Sequence, residues 1–296
     1  MTEVPALPRP LAVQDTREFE FDERDFRRVA RLIHARAGIH LNPHKRDMVY
    51  SRLARRVRAL GLRRFCDYLD RLESAPPEPR GGGEWEAFTN ALTTNLTSFF
   101  REAHHFDNLA GHLQAMHARH GGPLDVWCCA ASTGEEPWSI AITACEAFGT
   151  LAPPVRILAT DIDTSVLRTA ASASYPLERI EALSAERRRA FFQKGAGPNA
   201  GLCRVRPELQ ALVQFRPFNL LAGDYRLRGG FAAVFCRNVM IYFDKPTQHA
   251  VLGRLVPLLA PGGLLYAGHS ETFTHASDLV VPCGQTTYRA AAQVPA

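Results

Sequence analysis

The polar side chains of this sequence that could form a ligand site follow short apolar runs and precede helical patterns. The turn ASTGEEP, residues 131–137, follows the apolar run LDVWCCA and contains one glycine and two carboxylates, Glu135 and Glu136. A dinucleotide-binding turn would have the three glycines of G-x-G-x-x-G. The two carboxylates would repel a pyrophosphate but would accept hydrogen bonds from an ammonium group. The dipole of the following helix also favours acidic residues at this position, so which of the two glutamates contacts a ligand stays an open question.

The next apolar run, VRILATD, ends at Asp161. An acid at the end of this strand is placed to accept hydrogen bonds from both hydroxyls of a ribose. Ribose and ammonium together indicate S-adenosylmethionine as the ligand. Asp163 is predicted instead to cap the following helix.

Two later strand ends add further polar groups. They are Asn219 with Leu220 in FNLL, and Arg237 with Asn238 in FCRNVMIYF. A single asparagine there usually forms a turn, but four strand ends that meet at one edge favour a ligand site. Asn219 and Asn238 are candidates to contact the adenine edge and the methionine end of the ligand. Tyr242 is a candidate to lie over the transferred methyl group.

The segment TTNLTSFFRE, residues 93–102, contains the formal glycosylation sequon Asn95-Leu96-Thr97. No secretory signal or membrane-spanning run is visible, which predicts a cytoplasmic protein and argues against glycosylation. The seven cysteines form no C-x-x-C pair and are expected to be reduced. The eleven histidines lack ligand spacing, so no metal site is expected.

The net charge of +5 is concentrated in one predicted helix. Residues 45–64 contain eight Lys or Arg and one acid, and Asn42, Pro43 and Gly61 mark the ends of the helix. Lys45, Arg52 and Arg56 form a stripe beside its apolar face. The stripe is either a solvated face or a docking surface for an acidic partner: nucleic acid, a membrane surface or an acidic protein.

The elements that must position these residues divide the chain into parts. We predict a flexible tail (1–17), a helical domain (18–84), connecting helices that carry part of the site (85–122) and an α/β domain (123–296). Strands alternate with helices in the last part, which indicates a doubly wound, Rossmann-like parallel sheet. The glycine-rich residues 195–218 are predicted to form a small antiparallel β insert.

Six motifs in this order and spacing resemble the CheR family of chemotaxis receptor methyltransferases. They are TTNLTSFFRE, ASTGEEPWSIA, ATDID, FNLL, FCRNVMIYFDKPTQ and LAPGGLLYAGHSE, and the likeness covers roughly residues 17–290. The resemblance implies a small all-α N-terminal domain, an S-adenosylmethionine-binding domain and methylation of glutamate side chains of bacterial chemoreceptors. Trp138 stands where tyrosine is usual in the family.

The resemblance also implies roles for single residues. Arg101 and Tyr242 would flank the reacting centre. Lys45, Arg52 and Arg56 would dock the glutamate-rich receptor helix, and the insert would bind a receptor C-terminal peptide as an added strand. The implied cofactor contacts are Asn95, Thr97, Arg101, one of Glu135 and Glu136, Asp161, Asn219, Leu220, Arg237 and Asn238.

Two other classes of protein remain as alternatives. A nucleic-acid methyltransferase would share the cofactor fold but would need a pocket for a flipped base, commonly built around an N-P-P-Y-type motif that residues 237–242 lack. A non-catalytic receptor-binding module would have lost its cofactor residues, which are intact here. We therefore expect a cytoplasmic, monomeric enzyme that is recruited to membrane receptor arrays, with no nucleic-acid partner.

Overall fold

The structure is a computed structural model that describes residues 17–75 and 83–291. The predicted flexible tail lies outside the described residues except for Arg17. No helix in the described ranges is long and apolar enough to cross a membrane.

The N-terminal unit is a bundle of four helices: α1 (Glu23–Ala37), α2 (Arg46–Ala59), α3 (Phe65–Ser74) and α4 (Glu84–Leu92). Asp22 and Asp25 form a capping box at the start of α1, and Gly38 ends it with a φ of 69°. Phe88 and Leu92 of α4 are buried in the same core as α1, α2 and α3. The helical unit therefore includes α4, which we had assigned to the connecting helices of 85–122.

The second unit is built on a seven-stranded sheet in the order β6-β2-β1-β7-β8-β10-β9. The first five are parallel, and β10 and β9 complete one side as antiparallel strands. The strands are β1 (Leu124–Cys128), β2 (Val155–Asp161), β6 (Val213–Pro217), β7 (Phe231–Phe235), β8 (Leu259–Tyr266), β9 (Val280–Gly284) and β10 (Thr287–Ala290).

Helices cover both faces of this sheet, as the alternation of strands and helices predicts. They are α5 (His104–His120), α6 (Glu135–Phe148), α7 (Thr164–Ser172) and α10 (Lys245–Leu255); two shorter helices, α8 (Ala185–Phe191) and α9 (Pro207–Gln210), lie in the connections between strands, and α9 contacts α6. Val126 and Cys128 of β1 belong to one hydrophobic core, while Trp127 and Cys129 belong to the core on the other face. The α/β class is therefore confirmed.

The small antiparallel sheet exists, but its position in the chain differs from our prediction of 195–218. It consists of β3 (Ser174–Pro176), β4 (Phe192–Lys194) and β5 (Leu202–Val205), in the order β3-β5-β4. Residues 195–201 form the turn between β4 and β5. The strand at 213–217 pairs in parallel with β2 and belongs to the main sheet, because its apolar residues pack against α6 and α7.

The two units meet at the carboxyl ends of the parallel strands. The amide of Asn219 donates a hydrogen bond to the Arg36 carbonyl (2.8 Å), and His40 N–H donates to the Tyr242 carbonyl (2.9 Å). A Cβ atom at Gly38 would lie 3.1 Å from the side chains of Leu221 and Phe243. This close approach leaves a cleft between the helical unit and the sheet edge.

Candidate cofactor and active site

The cleft is lined by the segments that the sequence predicts to form the site. The strand-end residues among them are Ser132, Glu136, Asp161, Asn219, Leu220, Arg237, Asn238 and Tyr242. Residues 93–97 and Arg101 supply another part of the lining, and Ile39, His40, Lys45 and Met48 supply the part from the helical unit. Of the predicted cofactor residues, Glu135 alone does not line the cleft.

Asp161 lies at the end of β2, as predicted, and is almost fully buried. Its carboxylate accepts hydrogen bonds from the backbone N–H groups of Ser132 (2.8 Å) and Asp163 (2.9 Å). Burial raises the pKa of Asp161 to about 6, although the two N–H donors oppose this shift. The chain therefore orients this acceptor through its backbone and leaves it facing the cleft without a cationic partner among the described residues.

The two adjacent glutamates at the start of α6 point in different directions. Glu135 is fully buried, accepts a hydrogen bond from the Thr133 hydroxyl (2.6 Å) and forms an ion pair with Arg179 of the insert. Glu136 lines the cleft and pairs with Arg237 Nη1 at 2.6 Å. The geometry therefore favours Glu136 as the ligand-facing carboxylate.

The side chain of Arg237 connects several groups of the cleft. Its side chain is fully buried and contacts the carboxylates of Glu136 (2.6 Å) and Glu102 (3.3 Å) and the carbonyl of Arg101. Burial opposes ionisation of Glu102, but the charge of Arg237 and a hydrogen bond with His269 outweigh it and lower the Glu102 pKa to about 2. Burial raises the pKa of Glu136 despite the same arginine.

Two side chains of segment 93–102 fix it against other parts of the protein. Asn95 donates to the Asp163 carboxylate (2.8 Å), and Asp163 also caps α7, as predicted. Further along, the ring of Phe99 packs edge-on against Tyr175 (5.3 Å between centroids) and Phe192 (5.5 Å) of the insert. Phe99 is thus an anchor, as the burial of aromatics predicts, whereas the side-chain amide of Asn95 is used within the protein.

The loop after β7 depends on a buried glutamate that the sequence argument missed. Glu271 accepts hydrogen bonds from the backbone N–H groups of Gly268 (2.6 Å), Asn238 (2.9 Å) and Ile241 (3.2 Å). Asn238 has a φ of 56°, and a Cβ atom at Gly268 would lie 2.2 Å from the side-chain amide nitrogen of Asn238. Glu271 and Gly268 therefore hold Asn238 and Tyr242 at the cleft.

Asn219 forms the expected turn and also contacts the helical unit. Its oxygen accepts from Leu221 N–H (2.9 Å), which is the expected turn, and its amide bridges to Arg36. Leu220 is buried beside it and lines the cleft. The contact with the helical unit could not be predicted from the local sequence.

Arg101 is one of the cationic groups that line the cleft. Its guanidinium donates to the Leu96 carbonyl (3.0 Å), and no carboxylate in residues 17–75 and 83–291 lies within ion-pair distance of it. Thr97 also lines the cleft, and its carbonyl accepts from Arg179 (3.1 Å). Arg101 is thus available to a carboxylate of the cofactor or substrate.

The basic stripe on α2 is not a uniform free surface. Arg52 donates to the carbonyl of Thr93 (2.5 Å), and Arg56 forms an ion pair with Glu84 (2.6 Å). These contacts tie the two arginines to α4 and the start of segment 93–102, which favours a structural role for them, and the docking role stays a prediction. Lys45 remains exposed and lines the cleft.

Within residues 17–75 and 83–291, one group of side chains has ligand atoms close enough for a metal ion: Glu102, His104 and His105, whose ligand atoms lie within 4.8 Å of one another. Glu102 is already paired with Arg237, and burial together with that positive charge lowers the pKa of His105 to about 4. Arg237 would repel a cation here. The cysteines are free thiols, and Cys128, Cys129, Cys145, Cys203 and Cys236 are buried.

The polar groups that line the cleft fit S-adenosylmethionine. Asp161 offers acceptors for two hydroxyls, Glu136 a carboxylate for an ammonium group, and Arg101 a guanidinium for a carboxylate. Parallel strands with these polar groups at their carboxyl edge identify the class of protein as an S-adenosylmethionine-dependent methyltransferase.

Comparison with known proteins makes the identification more specific. The family model for the CheR methyltransferase SAM-binding domain matches residues 95–289, and the model for the CheR all-alpha domain matches residues 24–93. The chain belongs to the CheR methyltransferase family. These spans agree with the inclusion of α4 in the helical unit.

Two curated relatives cover almost the whole chain. One is chemotaxis protein methyltransferase 2 of Pseudomonas aeruginosa, 52% identical over 94% of this chain and 97% of the relative. The other is the chemotaxis protein methyltransferase of Escherichia coli, 50% identical over 96% of this chain and 97% of the relative.

Proposed function

We propose that this enzyme transfers a methyl group from S-adenosylmethionine to glutamate side chains of bacterial chemoreceptors. The glutamate methyl esters formed would serve sensory adaptation. The observation that carries this proposal is the guanidinium of Arg101, which lines the cofactor cleft and has a single backbone partner among the described residues. It is suited to a carboxylate substrate, and the two relatives are chemotaxis methyltransferases.

The reaction needs no general base. A glutamate has an ordinary pKa near 4.3 and is ionised at neutral pH. S-adenosylmethionine held in the cleft would supply an electrophilic methyl carbon, and a carboxylate oxygen would bond to it as the carbon–sulfur bond broke and sulfur took the electron pair. The two opposite charges are neutralised in this step.

The task of the chain is therefore alignment, which can supply roughly 7 to 11 kcal/mol of the barrier reduction. Arg101 orients a carboxylate through its planar donors, and Tyr242 borders the same space. Arg237 does not touch the substrate in this scheme. It positions Arg101 through the Arg101 carbonyl and holds Glu136 towards the cofactor.

The test is transfer of labelled methyl from S-adenosylmethionine to receptor-containing membranes and, separately, to DNA and RNA. We expect a base-labile label on receptor protein, as an ester requires. Label on nucleic acid would instead favour the nucleic-acid methyltransferase. Absence of cofactor binding in a calorimetric titration would favour the non-catalytic receptor-binding module.

We further propose that Lys45 helps to dock the acidic receptor helix, because it is exposed and lines the cleft. Charge reversal by Lys45→Glu should raise the KM for the receptor, and the salt dependence of KM should weaken. An unchanged KM would contradict this role.

We also propose that the insert takes a receptor C-terminal peptide as an added strand, which would recruit a monomeric enzyme to receptor arrays in the cytoplasm. The two outer strands β3 and β4 support this, since each pairs with β5 on one side within the insert. Calorimetry with the peptide tests the binding, and sedimentation tests the monomer. Failure to bind the peptide would leave methyl transfer itself unaffected.

A further inference from the structure

The insert contacts segment 93–102 directly before Arg101. Arg187 lies on α8, between β3 and β4 of the insert, and its guanidinium carbon is 4.0 Å from the centroid of the Phe100 ring. Phe99, one residue earlier, packs against two aromatic rings of the insert. The insert therefore holds the two residues that immediately precede a predicted catalytic arginine.

The backbone on both sides of Arg101 is in the left-handed region. Phe100 has a φ of 52° and Glu102 has a φ of 59°. This conformation is unfavourable for residues with a Cβ atom, so it persists where surrounding contacts hold it. The carboxylate of Glu102 is paired with Arg237, and the N–H of Phe100 donates to the buried Ser139 hydroxyl (2.9 Å). Arg101 therefore lies in a turn whose shape depends on the contacts of its two neighbours.

Arg187 is itself fixed by an ion pair. Its Nε and Nη2 atoms donate to the two carboxylate oxygens of Glu146 on α6, both at 2.8 Å. Such a bidentate pair sets the orientation of the guanidinium plane. On its own side, the Phe100 ring also packs against Phe106, with 5.1 Å between centroids. The cation–π contact is thus made by a guanidinium and a ring that each have a second partner.

We propose that Arg187 is a positioning residue for methyl transfer. Through the ring of Phe100 it holds the turn that directs Arg101 towards the reacting carboxylate. A displacement of roughly 1 Å at a reacting group can cost about 100-fold in rate, so a contact that fixes this turn affects turnover. This inference rests on the proposed function and adds to it a role of the insert in the transfer step.

The first test is Arg187→Met, which keeps an unbranched apolar side chain but removes the ion pair and the cation–π contact. At saturating S-adenosylmethionine and receptor membranes, kcat should fall about 10-fold, because the turn loses one of its contacts. Arg187→Lys keeps the charge and should recover part of the rate. Because the Arg187–Glu146 pair is partly solvated, the urea midpoint should change little.

Arg156→Met is the matched control. Arg156 on β2 forms the same kind of bidentate pair with Asp125 on β1, again with both contacts at 2.8 Å. This pair has no contact with segment 93–102 among the hydrogen bonds and ring contacts of the described residues. The control variant should therefore keep the wild-type kcat.

A double-mutant cycle separates positioning from a general loss of stability. In an Arg101→Lys background, Arg187→Met should lower kcat by less than about 2-fold, since the group that Arg187 positions is already altered. A contribution to folding alone would lower the rate by the same factor in both backgrounds. Phe100→Leu should have the same effects as Arg187→Met, because it removes the ring that Arg187 contacts.

The outcomes distinguish this inference from the proposed function. A wild-type kcat in Arg187→Met, or an equal loss of rate in both backgrounds, would overturn the positioning role while the proposed function stands. If the wild type transfers no methyl group to receptor membranes, the proposed function fails, and the positioning role fails with it.

Discussion

Two ion pairs of this protein have the same shortest nitrogen–oxygen distance but different surroundings. Arg56–Glu84 and Arg237–Glu136 each have a nitrogen–oxygen distance of 2.6 Å. The first is partly solvated, with side chains 32% and 15% exposed, and joins α2 to α4. The second has side chains 0% and 11% exposed and lies under the cofactor cleft.

The surroundings decide what each pair does. Water screens the first pair, so it contributes little beyond tying two helices together. Around the second pair, burial alone would favour neutral Glu136 and Glu102, and Arg237 opposes this for both. The same chemical contact is therefore scaffolding in one unit and control of charge and orientation in the other.

The comparison predicts its largest effect at Arg237. Arg237→Met should lower the free energy of unfolding by about 3–5 kcal/mol, because two buried carboxylates lose their cation. Urea denaturation measures this loss. The double variant Arg237→Met/Glu136→Gln should recover part of the stability, and a loss below about 1 kcal/mol in the single variant would contradict the role of Arg237.

The next effect concerns Arg101, which faces the cleft without a carboxylate partner. Arg101→Lys should lower kcat about 100-fold, because a point charge does not orient a planar carboxylate. Stability should change little, and kcat is measured at saturating S-adenosylmethionine because Arg101 is also a candidate for the cofactor carboxylate. Full turnover in this variant, measured with receptor membranes, would show that Arg101 does not position the substrate.

A smaller effect is expected from Asp161 as pH falls. Its pKa is raised from 3.8 to about 6, so this group destabilises the free protein as pH rises through that range. Cofactor hydroxyls would donate to the ionised form, so the Kd for S-adenosylmethionine should increase below pH 6, by at most about tenfold per unit. Calorimetry between pH 5 and 8, from about one unit below the pKa to about two units above it, tests this. Asp161→Asn should flatten the profile, and an equal slope in that variant would assign the proton to another group.

The smallest effect is expected at the solvated pair. Arg56→Met should lower the free energy of unfolding by about 1 kcal/mol or less and leave the receptor KM unchanged. Glu84→Gln is the matched control from the other side of the pair. A raised KM with unchanged stability would return Arg56 to the docking surface that its position on a basic stripe first indicated.

Local patterns predicted much of the fold. Capping residues, the alternation of strands and helices and the acid at the end of β2 each depend on neighbours in sequence, so the start of α7, the parallel sheet and the placement of Asp161 followed from them. The β insert was placed too late in the chain, because its first strand lies before α8 and pairs with β5 across sequence. Such pairing has no local signature.

The candidate site divides in the same way. Segment 93–102 and the strand ends at 136, 161, 219 and 237–242 could be found because polar groups at the ends of parallel strands share one edge. Glu271 was missed although it follows β8 as the other site residues follow their strands. Glu102 was missed although it adjoins Arg101, because an acid in a surface-like segment gives no sign of burial beside Arg237.

The sequence by itself therefore determined the class of fold, the family and the polar groups that meet at the cofactor cleft, since these depend on residue types in a fixed order. Only the tertiary structure decided that Glu136 faces the cleft while Glu135 pairs with Arg179, and that Arg52 and Arg56 are used internally while Arg101 is free of carboxylates among the described residues. The physical reason is that a charge takes its role from the partner that burial brings to it, and these partners come from distant parts of the chain.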